Sequence, residues 1–173
     1  MVSFDKFVSR SYPILMGSIT LFTIIELAIS AFLVSRYNSR HDYPSTSVRD
    51  QSRFLLFCSV WTLFSAPVYL FLFFWKPWRS VISSTISHLV WTSLSWIFWF
   101  SGAVAITASL GGGNNCSNLD YNLPYCNHLN ALEGFAWIEW ILFTAFFPVV
   151  IFIAQRAYRS GSPLRGGLIS TRV

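Results

Sequence analysis

Apolar residues collect in four long blocks divided by polar segments, at about Tyr12–Ser35, Phe54–Trp75, Ser83–Ser109 and Asn130–Ala154. About 20 mostly apolar residues are enough for a helix to cross the hydrocarbon of a bilayer. Peptide groups enter hydrocarbon only when they bond to one another, which leaves helices or closed barrels. Barrel strands would alternate in segments of about 10 residues, and no such alternation occurs. The pattern therefore predicts an all-α membrane protein, a four-transmembrane-helix bundle. Residues 1–158 form one membrane domain, and 159–173 form a flexible cytoplasmic tail broken by Gly161, Pro163, Gly166 and Gly167. The third block is the most polar, with Ser83, Ser84, Ser87, His88, Ser93, Ser95 and Ser101. It is expected to be shielded by the other three helices. Ser101, Ala105 and Ser109 recur every four residues and predict a smooth stripe for close helix packing.

The connecting segments set the expected orientation. Arg36 to Arg53 is polar and of mixed charge, Lys76 to Ile82 is a short turn, and Leu110 to Leu129 has no Lys or Arg. With four spans, both ends share a side with the second loop. That side holds eight basic residues, Lys6, Arg10, Lys76, Arg79, Arg156, Arg159, Arg165 and Arg172, against four on the other. Basic residues favour the cytoplasmic face, so both termini are expected there. The first apolar run is too long for the core of a cleavable leader and reads as a retained anchor. Its location is then the plasma membrane or a secretory or vesicle membrane.

Composition agrees. Of the 173 residues, 54% are hydrophobic and 11% charged, against about 25% charged in soluble chains. The net charge of +5 does not point to nucleic acid. Its basic residues flank apolar runs, and no soluble basic stripe is interleaved with stacking aromatics.

Cys116 and Cys126 share the loop placed outside the cytoplasm, where oxidising conditions favour a disulfide. A bridge over so short a loop would contribute roughly 2–3 kcal/mol in a chain-entropy account. Two free thiols would instead fit an inverted topology. His128 is the sole nearby imidazole, too few ligands for zinc, and no metal site is expected. Asn115-Cys116-Ser117 is formally a glycosylation acceptor. Gly111-Gly112-Gly113 reads as a helix terminus, not as a phosphate loop. Cys58, within the second span, reads as a small packing residue.

Ionisable groups inside a membrane raise a functional question by default. They are Glu26 in the first span, Glu139 in the fourth and His88 near the start of the third, with Glu133 near the outer end of the fourth. Counting at about 1.5 Å per residue puts Glu26 and Glu139 at similar depth in the outer half and His88 near the inner surface. One reading is a proton or cation path. The other is that protonated carboxyls bond to Trp, Ser or backbone groups and fix packing. The second is preferred, because no polar group is evident between His88 and the glutamates. Trp96, Trp99, Trp137 and Trp140, spaced by three, are expected to cluster on one face of the third and fourth helices.

Several segments resemble the MARVEL-domain family of four-helix membrane proteins, particularly its fungal branch. They are Arg49-Asp50-Gln51-Ser52-Arg53-Phe54-Leu55-Leu56-Phe57 followed by Trp61-Thr62, and the run from Trp99 to Gly112. The others are the pair Cys116 and Cys126 and the run from Leu129 to Trp140. The resemblance covers about Tyr12 to Tyr158. It implies a role in membrane apposition, lipid-rich microdomains or vesicle traffic, with self-association and without catalytic residues or cofactors to carry over. The expected partners are membrane lipids, such as sterol or sphingolipid, and further copies of the chain.

The leading expectation is thus a non-enzymatic scaffold. The alternative is a small ion or proton channel or transporter using Glu26 and Glu139. Inverted repeats and broken helices, the usual marks of a transporter, are absent, although Pro67 and Pro148 offer kinks. An enzyme is disfavoured because no Cys-x-x-Cys pair and no set of intramembrane histidines is present. A sterol-directed acid–base site on Glu26 and Glu139 is the remaining enzymatic option.

Overall fold

The computed structural model describes residues 2–75, 85–112 and 124–159, with side chains for 10–71, 86–112 and 124–155. The chain forms four helices: α1 (Val2–Arg40), α2 (Thr46–Trp75), α3 (Thr85–Leu110) and α4 (Cys126–Arg159). All four are long and apolar enough to cross a membrane. The 76–82 turn, Asn115, Cys116 and the tail lie outside the described residues.

The helices run past the predicted spans. At 1.5 Å per residue, the 39 residues of α1 reach about 58 Å, nearly twice a hydrocarbon core of about 30 Å. Hydropathy marks only the part that lipid surrounds, whereas the backbone ladder continues wherever the ends are capped. The first loop accordingly shrinks from the expected Arg36–Arg53 to 41–45. His41 closes α1 in the left-handed region (φ 57°), its N–H bonded to the Tyr37 carbonyl at 3.2 Å. Ser45 caps α2 by accepting the Val48 N–H on its hydroxyl at 3.1 Å, satisfying one of the orphan donors of a helix start. The glycine run behaves as a helix stop. Gly111 has φ +75°, and the Gly112 N–H reaches back to the Thr107 carbonyl at 3.0 Å, the Schellman pattern.

Each helix packs on its sequence neighbours and α4 returns to α1, giving a four-membered ring in which, among the described residues, the diagonals are in much weaker contact than the sides. This corrects the expectation that three helices would enclose α3. Of the four spans α3 is the most buried, yet Ile86, Val90, Leu94, Ile97, Phe100 and Val104 still face outward.

The small-residue stripe is corrected by one position. Ser101 is exposed and Ala105 half-buried. Half-buried Ser109 reaches only the end of α2, sharing a hydrogen bond with Ser47 at 2.6 Å. The close approach is at Gly102, where a Cβ would lie 2.6 Å from Leu55 Cδ2 of α2, beside buried Ala103 and Ile106. One residue is a rotation of 100° about a helix axis, so the inward face is set by Trp99, Gly102, Ala103 and Ile106.

Candidate functional site

The bundle core mixes large apolar side chains with a ladder of polar ones. Tyr12, Met16, Ile19, Phe143 and Phe146 are fully buried, and so are Thr23, Glu26, Ser59, Thr62, Thr92, Ser95 and Glu139. In hydrocarbon an unpaired polar group costs several kcal/mol, so the partner of each defines what the core does.

At the end that carries the termini, Tyr12 of α1 meets His88 of α3, hydroxyl to Nδ1 at 3.2 Å. The Tyr69 ring lies 4.4 Å from the imidazole, and the Tyr69 hydroxyl shares a hydrogen bond with Ser87 at 2.7 Å. His88 is 1% exposed, and its Nε2 has no partner among the described residues. One turn along α3, the buried Thr92 hydroxyl is likewise unpartnered.

The next turns stitch α2 to α3 through indole donors. Trp91 Nε1 donates to Ser65 at 2.7 Å, Trp61 Nε1 to Ser95 at 3.1 Å and Trp99 Nε1 to Thr62 at 3.0 Å. Trp99 therefore leaves the expected tryptophan cluster and points into the core against α2. The other three do gather. Trp96 and Trp140 have ring centroids 6.0 Å apart, Trp137 and Trp140 lie 5.5 Å apart edge to face, and Trp96 donates to Thr144 at 2.8 Å.

Glu26 and Glu139 occupy one level, as their depths predicted. Thr23 of α1 donates to Glu139 Oε1 at 2.7 Å, a partner with no mark in the sequence beyond lying one turn before Glu26. Both oxygens of Glu26 and the second oxygen of Glu139 have no partner among the described residues. Glu26 has Glu139 and the Cys58 thiol as its electrostatic neighbours, and among the described residues no Lys or Arg lies in the buried core. The expectation that Trp, Ser or backbone groups would hold these carboxyls is not met among the described residues, where the one partner is the Thr23 hydroxyl. The expected polar gap below them is corrected too, since Thr92, Ser95 and Thr62 fill it.

Glu133 behaves differently. Its carboxylate accepts from Thr107 at 2.8 Å, and Thr107 in turn accepts from Trp137 Nε1 at 3.0 Å. This pair fastens α4 to α3. At the far end, Tyr125 donates to Asp42 at 3.0 Å, and His128 stacks on Phe32 at 4.9 Å, a packing role. Among the described residues no cluster of three metal-ligating side chains occurs. Cys58 is buried and free, whereas Cys126 at the start of α4 is engaged.

No curated relative and no solved structure matches the chain. A family model does: the MARVEL model, described as a membrane-associating domain, matches residues 10–148. The match takes in the first three helices nearly whole and α4 as far as Pro148, well over half of the 173 residues. With four membrane-spanning helices packed in a ring and a family model spanning most of them, this chain is an integral membrane protein that belongs to the MARVEL family.

Proposed function

We propose that the chain is a non-enzymatic organiser of membranes that associates laterally with its own copies and with selected lipids, in the plasma membrane or in secretory or vesicle membranes. The observation that carries the reading is the bundle's periphery. Gly17 of α1 and Gly134 of α4 lie on the outer surface, and a Cβ built on either meets nothing within 4 Å. Exposed glycines let a second helix backbone approach closely, which is how helices associate where lipid is as apolar as leucine. Exposed large hydrophobics on every helix, among them Leu21, Phe64, Ile97 and Ile141, leave the rest of the rim to acyl chains.

In this reading both termini face the cytoplasm, supported by the eight-to-four distribution of Lys and Arg. Cys116 pairs with Cys126 in the opposite loop. Support for the bridge is that Cys126 is not free and that its loop-mate Cys116 is ten positions away. Of Ser101, Ala105 and Ser109, exposed Ser101 belongs to the lateral surface.

Native mass spectrometry of the full chain released from nanodiscs tests the reading. Oligomers carrying retained lipid are expected, and Gly17→Leu with Gly134→Leu should shift them toward monomer. Monomers alone, stripped of lipid, would contradict it.

A further inference from the structure

We infer that Glu26 and Glu139 form a buried binding site for one monovalent cation. Three carboxyl oxygens, two from Glu26 and one from Glu139, are buried without partners among the described residues, and the two residues are electrostatic neighbours. Both residues are 0% exposed, and among the described residues the core holds no cationic side chain to neutralise them. Charge in such surroundings is retained only when it is paired.

The donor set selects the ion. A Ca²⁺ ion takes six to eight oxygens and Mg²⁺ keeps several waters in an octahedron. Three free carboxylate oxygens, with the Thr23 hydroxyl beside them, fall short of both. One proton and one monovalent cation neutralise the two carboxyls and need fewer ligands.

Further unpartnered buried atoms lie on both sides of the glutamates. On the side toward the termini, Thr92 Oγ1 and His88 Nε2 sit one turn apart on α3, both buried and both without partners among the described residues. On the other side of Glu26 the Tyr37 hydroxyl and Asp42 Oδ1 are likewise buried without partners among the described residues, while other polar groups are bonded. Ser30 donates to the Glu26 carbonyl at 2.8 Å, Ser52 donates to the Val48 carbonyl at 2.8 Å, and Glu133 holds Thr107. Around them Leu33, Ile106, Leu129 and Leu132 are 0% exposed and close the core. Fully buried apolar side chains on both sides, Met16 and Ile19 toward the termini and Leu33 and Ile106 away from them, enclose the glutamates and describe a closed binding site, not a pore. The site is independent of lateral assembly, so its failure would leave the organiser reading standing.

The test is thermal unfolding of the purified full chain in nanodiscs, titrated with Li⁺, Na⁺, K⁺ or Rb⁺ while choline chloride holds the ionic strength constant. One alkali ion is expected to raise Tm by a few degrees, saturably, as a ligand specific to the folded state must. The rise should vanish in Glu26→Gln and in Glu139→Gln and persist in Glu133→Gln. Thr23→Val, which keeps both carboxyls and removes one hydrogen bond, should raise the half-saturating concentration by about threefold to tenfold. The inference is overturned if no alkali ion shifts Tm beyond the choline control. It is also overturned if the shift is unchanged in Thr23→Val and in either glutamine variant that folds.

Discussion

The bond between Trp99 Nε1 and Thr62 Oγ1, 3.0 Å long between two side chains that are both 0% exposed, makes the register of α2 against α3 measurable. Thr62→Val keeps the shape of the side chain and removes the acceptor, leaving an indole N–H unpaired in the core. An unsatisfied buried donor costs about 1–3 kcal/mol. In a bilayer the reference state is the separated helix still in lipid, where the indole finds other partners, so the lower end of that range is expected. Trp99→Phe removes the donor and leaves a void. The apolar transfer part of that loss is small, because lipid solvates the freed ring, and packing accounts for about 1–2 kcal/mol. In the double variant the two losses should fall short of their sum by about 0.6 kcal/mol, with about 1.7 kcal/mol as the ceiling seen for such bonds in membranes. Reversible unfolding in mixed micelles, followed by far-UV circular dichroism, reads all four corners of this cycle. Strict additivity would mean that the indole does not reach Thr62, and the α2–α3 register described above would be wrong.

Gly102→Val places its Cβ against Leu55 and adds two methyls beyond it. The same unfolding assay should show a loss of about 1–3 kcal/mol, whereas Ser101→Val, one position away on the exposed face, should change stability by less than about 0.5 kcal/mol. Gly111→Ala forces a Cβ onto a residue at φ +75° and should cost about 1 kcal/mol, with hydrogen exchange quickening at the last turn of α3 before anywhere else.

How much of this was legible in the sequence depended on which physical constraint wrote each feature. Lipid demands long apolar runs, so the four spans, the depth match of Glu26 with Glu139 and the glycine stop after Leu110 could all be read. Rotation about each helix axis could not. A soluble helix declares its buried face by contrast with polar residues, but here the outward face is as apolar as the inward one, as Ile97 and Ile106 on α3 illustrate. The spacing of Ser101, Ala105 and Ser109 is therefore no guide to the packed face, which belongs to Gly102, Ala103 and Ile106. Trp99 was grouped with Trp96 for the same reason. The core roles of Thr23, Thr62 and Thr92 are not legible, because a threonine in a membrane helix is content with its own backbone carbonyls and becomes informative only once its neighbours across the bundle are known. The helix ends were missed because charged extensions such as Tyr37–Arg40 and Thr46–Arg53 look like loop by hydropathy while their caps at His41 and Ser45 hold them helical.

The central claim is a ring of four antiparallel membrane-crossing helices. Its most direct test is the accessibility of single reporter cysteines, placed in a background lacking Cys58 near residue 5, at residue 43 and near residue 165, to a membrane-impermeant maleimide in sealed vesicles. The account predicts that the two terminal positions react from one face and residue 43 from the other. Labelling of the two ends from opposite faces would make the number of crossings odd and contradict the four-helix ring.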